Sequence, residues 1–145
     1  ERERKNHHPS RQQTRRSQRQ ADAEKRPQGM GVVQPGSVQQ QRPHPDMVVY
    51  AASKSAQENL VRNLAKQLGP DGITVNNLAP GVILTDRNVA ALSDGAYADR
   101  VRDVVPLRYF GEPDDCVGAA LLICSEAGRY ITGVDLRVDG GMALP

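Results

Sequence analysis

Tyr50-Ala51-Ala52-Ser53-Lys54 opens the first helix that this chain of 145 residues can form. Four residues apart on a helix, the phenol and the ammonium project from one face, one turn from each other. A free tyrosine titrates near ~10. A lysine cation held nearby favours the phenolate. The pair therefore suits acid–base chemistry. Taken alone, the same spacing also describes a helix with a packed tyrosine and a solvated lysine, so its neighbours decide the reading.

Downstream, Ala52, Ala56, Leu60, Leu64 and Leu68 recur every fourth residue, flanked by Val61 and Ala65. This predicts an amphipathic helix, ended by Gly69 and Pro70. Ile73 to Ala79 reads as a short strand, stopped by Pro80-Gly81. Residues 86–105 are mixed, helical in part, with Gly95 interrupting. Pro113-Asp114-Asp115 has the proline and acids of a helix start. That helix runs through Val117, Ala120, Leu121 and Cys124, with Gly128 past its end. Ile131 to Val138 alternates as a strand, and Asp139-Gly140-Gly141 turns out of it. Upstream, Gly31-Val32-Val33 is a brief apolar pulse before the turn Pro35-Gly36-Ser37. Pro43 and Pro45 block regular structure in the polar stretch after it. The order strand, helix, strand, helix, strand predicts an α/β fold with a parallel sheet and right-handed crossovers.

Composition divides the chain in two. Residues 1–29 contain no Val, Ile, Leu, Met, Phe, Tyr or Trp. Such a stretch cannot bury enough surface to offset its ordering entropy, so residues 1–30 are read as a disordered Arg/Gln-rich tail. Residues 1–46 carry ten Lys/Arg against five Asp/Glu, and residues 47–145 carry nine against twelve. The overall charge of +2 thus hides a basic tail and a slightly acidic body. Nucleic acid is not the expected partner, because no aromatic residue accompanies the cations of residues 1–46 to stack on bases. Cys116 and Cys124 stand about 12 Å apart along a helix, too far for a disulfide. They read as buried thiols of a reducing compartment. His7, His8 and His44 show no metal spacing, and no metal site is expected. No apolar run is long enough to span a membrane, and the first residues have no signal-peptide character. A soluble cytoplasmic protein is the expectation from these features.

From Gly36 to Met142 the chain resembles the short-chain dehydrogenase/reductase family. Tyr50-Ala-Ala-Ser-Lys54 is similar to the family's Y-x-x-x-K. Ser37 lies thirteen residues before Tyr50, the spacing of the family's catalytic serine. Asn76-Asn77-Leu78-Ala79-Pro80-Gly81-Val82-Ile83-Leu84-Thr85 resembles its strand followed by P-G-x-I-x-T. Arg108-Tyr-Phe-Gly111-Glu-Pro113-Asp114-Asp115 resembles its R-x-G-x-P-E-D segment. Tyr130-Ile-Thr-Gly133 followed by Val138-Asp139-Gly140-Gly141 resembles its closing strand and turn. Five motifs in order and spacing carry the resemblance.

The resemblance implies interconversion of an alcohol and a carbonyl with NAD or NADP. Tyr50 would be the general acid/base. Lys54 would lower its pKa and hydrogen-bond the nicotinamide ribose. Ser37 would polarise the substrate carbonyl. Pro80 and Gly81 would bring the backbone close to the nicotinamide, and the Ile83 backbone and Thr85 would hold its carboxamide. Other readings stand beside these. Ser37 sits in a turn, where serine usually has no catalytic role. Pro80-Gly81 could be a strand exit, and Thr85 could cap a helix starting near Asp86. Asp114 and Asp115 read as helix starters.

The departures bear on the rest of the fold. The family's glycine-rich T-G-x-x-x-G-x-G turn takes the cofactor pyrophosphate. Nothing in residues 1–35 matches it, and the residue that chooses between NAD and NADP is absent too. Residues 31–145 therefore read as a partial catalytic domain, the C-terminal half of a Rossmann-type doubly wound sheet. Residues 1–30 read as not being family sequence, of the kind a shifted reading frame in a GC-rich gene would yield. Proline at position 35 would remove a ladder bond if it lay inside a central strand. Two functions follow: an oxidoreductase with diminished activity, or an inactive fragment that associates with an intact homologue. Intact relatives would be homo-oligomers acting on small molecules.

Overall fold

The structure, a computed structural model, describes residues 31–42 and 44–145. Of the segment before them it describes Arg11, Gln12 and Arg15, which are helical and exposed. The tail expected over residues 1–30 otherwise lies outside the described residues.

Three strands form a parallel sheet in the order β1-β2-β3: β1 (Gly31–Pro35), β2 (Thr74–Pro80) and β3 (Asp135–Val138). Between β1 and β2 runs the long helix α1 (Val48–Leu68). Between β2 and β3 come α2 (Asp86–Ala91), α3 (Gly95–Asp103) and α4 (Val117–Cys124). Gly31 pairs with Thr74, and both face α4: a Cβ on Gly31 would lie 2.8 Å from the Ile123 carbonyl and 3.5 Å from Thr74 Oγ1. The next residue, Val75, points to the other face and joins Val61 and Ala65 of α1 in the core. The two helices thus cover opposite faces of a sheet whose strands advance in one direction. This gives the two crossovers opposite hands, where right-handed ones were expected throughout.

The predicted helix at Tyr50 starts two residues earlier, after a 3-10 turn over Pro45–Met47. Its buried face is Ala51, Val61 and Ala65, with Leu64 and Leu68 beside them. Ala52, Ala56 and Leu60, which fit the fourfold recurrence, are exposed, Leu60 by 53%. At 3.6 residues per turn a strict four-residue repeat drifts about 40° per step, so it cannot stay on one buried stripe. Gly69 keeps right-handed geometry and opens a further 3-10 turn through Pro70. The left-handed residue that ends the segment is Gly72, with φ 75°.

β3 begins four residues later than expected because side chains of β2 and the loop take over part of the ladder, beside the backbone bonds Gly133 N to Val75 O at 2.8 Å and Asn77 N to Val134 O at 2.9 Å. Thr132 Oγ1 accepts from Val75 N at 3.0 Å. The fully buried Asn76 donates through Nδ2 to Ile131 O at 2.9 Å and accepts through Oδ1 from Val134 N at 3.3 Å. Gly133, at φ 73°, supplies the turn. Pro35 is the last residue of β1, so it interrupts no ladder. Of the two thiols expected to be buried, Cys116 is half-buried and Cys124 is exposed. α4 anchors through Ile123, which is 1% exposed, and turns Leu121 and Cys124 outward.

Candidate active site

The site forms where β1 and β2 end beside the first turn of α1. Ser37 follows β1 after Gly36, in extended backbone at φ −161°. It caps a 3-10 turn over Val38–Gln40, its Oγ accepting from Gln39 N at 3.3 Å. The hydroxyl proton remains available for donation, since the cap uses a lone pair. Tyr50 stands in the first turn of α1, half-buried. Ser37, Tyr50, Pro80, Gly81, Ile83 and Thr85 line one cavity of about 710 Å³. Six of the seven expected site residues are therefore brought together.

The seventh, Lys54, does not line this cavity. Its Nζ donates to Pro35 O at 2.9 Å and lies 5.6 Å from the centre of the Tyr50 ring. The lysine thus ties α1 to the end of β1 and holds positive charge beside the phenol ring.

The roles expected at the loop after β2 separate. A Cβ on Gly81 would lie 2.7 Å from Asp139 Cα, so glycine is needed here for the closing turn. Ile83 O already accepts from Asn88 Nδ2 at 2.8 Å, which leaves its N–H as the backbone group for a ligand. Thr85 precedes α2 in extended geometry, but its side chain makes no cap bond. Its hydroxyl is therefore not spent on the helix. Asp115, expected only as a helix starter, accepts from Glu112 N at 2.8 Å in a capping arrangement.

The rest of the cavity lies outside the motifs. Val38, Met47, Leu92, Val101 and Met142 give it apolar lining, with Tyr97 and Cys116 beside them. Leu92, Tyr97 and Val101 lie between Pro80-Gly81 and the last helix, the segment that the family resemblance implies shapes the substrate pocket, although its mixed pattern names no ligand. Burial, and secondarily the charge of Asp115, push the Cys116 thiol above its ordinary range. It is a protonated wall residue. Among the described residues no group of three His, Cys, Asp or Glu is placed to hold a metal.

Burial pushes the carboxyl of Asp135, the partner of Asn77 Nδ2, above the ordinary range, and Glu58 acts in the same direction. The Asn77 hydrogen bond and the charges of Arg137 and Arg62 work against the shift. A carboxyl whose folded pKa is raised binds more protons folded than unfolded. Stability therefore falls as pH rises from about 3.9, the unfolded value, through the folded one. In urea titrations across that window, wild type is expected to lose stability with rising pH relative to Asp135→Asn. Parallel curves would show that Asp135 carries no such penalty.

The family described as enoyl-(acyl carrier protein) reductase matches residues 14–143. The chain belongs to the short-chain dehydrogenase/reductase family. The match begins within residues 1–30, which carry none of the quoted motifs. Dehydrogenase/reductase SDR family member 4 of Sus scrofa is 38% identical over 115 residues, covering 79% of this chain and 41% of that protein. L-rhamnose 1-dehydrogenase (NAD(P)(+)) of Azotobacter vinelandii is 42% identical over 93 residues, covering 64% and 36%. A gluconate 5-dehydrogenase from Burkholderia cenocepacia, solved in complex with NADP and tartrate, superposes with a TM-score of 0.76 at 32% identity. It covers 79% of this chain and 45% of that one. The chain thus spans about two fifths of the length of the curated short-chain dehydrogenase/reductase relatives it matches. No helix among the described residues is long and apolar enough to cross a membrane.

Proposed function

We propose that this chain carries the acid–base half of an NAD(P)-dependent alcohol/carbonyl oxidoreductase site. The observation that carries the reading is the shared cavity of Ser37 and Tyr50, two hydroxyl groups set thirteen residues apart in sequence. Tyr50 donates its phenolic proton to a carbonyl oxygen undergoing reduction, or accepts one from an alcohol undergoing oxidation. Lys54, 5.6 Å from the ring centre, places positive charge where negative charge develops as the proton leaves. Ser37 donates its hydroxyl proton to the same substrate oxygen, its lone pair being held by Gln39 N. The apolar lining suits the hydrocarbon part of a substrate.

The residues present fit the nicotinamide end of a cofactor. Thr85 keeps an unspent hydroxyl, the Ile83 N–H remains beside it, and Lys54 Nζ offers further protons. A bound nicotinamide would supply or take the hydride. No glycine-rich strand-to-helix turn occurs among residues 31–145, so the pyrophosphate finds no cradle there.

Fluorescence titration of the full chain with NADH and NADPH tests this reading. Saturable binding that Lys54→Met weakens is expected. No saturable change with either nucleotide would overturn it.

A further inference from the structure

Ser37 is held by Gln40, which lies outside the motifs that carry the family resemblance. Its backbone N–H donates to Gln40 Oε1 at 2.7 Å. The same oxygen accepts from Asn77 Nδ2 at 3.1 Å. Gln40 Nε2 donates to Glu58 Oε2 at 3.2 Å, which anchors the amide to α1. Asn77 Nδ2 also donates to Asp135 Oδ1, whose partner oxygen Oδ2 accepts from Gln41 Nε2 at 2.9 Å. Hydrogen bonds thus run from β3 through the central strand β2 to the segment carrying Ser37.

Two features mark this as more than a surface network. Asn77 is 0% exposed in the middle strand, where an apolar side chain would pack at no polar cost. Position 36 must also be glycine for the amides to meet: a Cβ there would lie 2.3 Å from Asn77 Nδ2 and 2.6 Å from Gln40 Oε1. Asparagine is a poor strand former, so propensity does not account for it. Of the buried side-chain atoms in this network only Asn77 Oδ1 has no partner, and the bonds that are made select one arrangement of the groups they hold.

We propose that Gln40, anchored by Asn77, is a positioning residue for Ser37. Its side-chain oxygen fixes the Ser37 backbone, and with it the direction in which the hydroxyl enters the cavity. The catalytic meaning of this rests on the function proposed above; the tether itself does not.

The test uses the full chain and two variants. Gln40→Met keeps the volume and removes the acceptor. Gln40→Glu, always made together with Glu58→Gln so that an amide still faces a carboxylate across that contact, keeps an acceptor oxygen for both Ser37 N and Asn77 Nδ2. Amide hydrogen exchange is read by NMR. In Gln40→Met the Ser37 amide is expected to exchange about tenfold faster, while amides of β2 and α1 hold their rates. Gln40→Glu is expected to restore slow exchange at Ser37. In turnover assays kcat should fall in Gln40→Met with KM for the nucleotide unchanged, and recover in Gln40→Glu. Unchanged Ser37 exchange in Gln40→Met overturns the proposal. So does faster exchange shared by all amides, which would mark a purely structural role. So does a kcat that ignores a selective loss at Ser37. A wild-type chain without turnover would sink the assigned function alone, because the exchange arm still decides the tether.

Discussion

Tyr50→Phe is expected to lower turnover by about 10²- to 10⁴-fold while leaving nucleotide affinity close to wild type. The substitution removes one oxygen and keeps the ring. Tyr50 is half-buried in the first turn of α1, and its carbonyl still accepts from Ser53 Oγ at 2.7 Å in the variant. Lys54 keeps its bond to Pro35 O, so the link between α1 and β1 survives. What disappears is the only proton on the ring that can be exchanged with a substrate oxygen. Ser37 remains as a hydrogen-bond donor and accounts for residual rate. The measurement is steady-state kinetics beside nucleotide titration of both proteins. Turnover within a few-fold of wild type would remove Tyr50 from the chemistry.

Gly128→Ala is expected to destabilise the fold by about 1–3 kcal/mol, at the upper end of that range. A Cβ there would lie 2.2 Å from Leu122 O and 3.0 Å from Ile123 Cα. Both atoms are backbone of the last turn of α4, and backbone in a helix cannot swing aside as a side chain can. Gly128 is itself buried, where the 3-10 turn over Glu126–Gly128 folds back against that helix. Gly118, in α4, has nothing within 4 Å of an added Cβ and is exposed. Gly118→Ala should therefore stabilise by about 0.5–1 kcal/mol, the helix-interior difference between the two residues. Urea denaturation of both variants provides the check. Equal midpoints would show that the close approach of the turn to α4 carries no cost.

The candidate site residues could be named because the pattern that points to them is spacing along the chain. Tyr50 and Lys54 are one helical turn apart wherever that helix packs, and Ser37 stands at its offset from them. The walls of the cavity were not readable. Met47 and Met142 meet there across almost a hundred residues, and no local pattern marks either. Gln40 and Asn77 escaped for the same reason. One reads as part of a polar loop and the other as an ordinary residue in a short strand, until the sheet places them 3.1 Å apart.

The sequence by itself determined the alternation of strands and helices, the long helix carrying Tyr50 and Lys54, and membership of an oxidoreductase family. These rest on periodicity and on motif spacing, which are local. Only the tertiary structure decided which stripe of α1 is buried, and that α1 and α4 lie on opposite faces of the sheet. It also decided that Asn76 and Thr132 take the place of the first part of β3, and that Gly36, Gly81 and Gly128 are required by what approaches them. Those outcomes depend on atoms distant in sequence coming within van der Waals or hydrogen-bond range, and no window along the chain contains both partners.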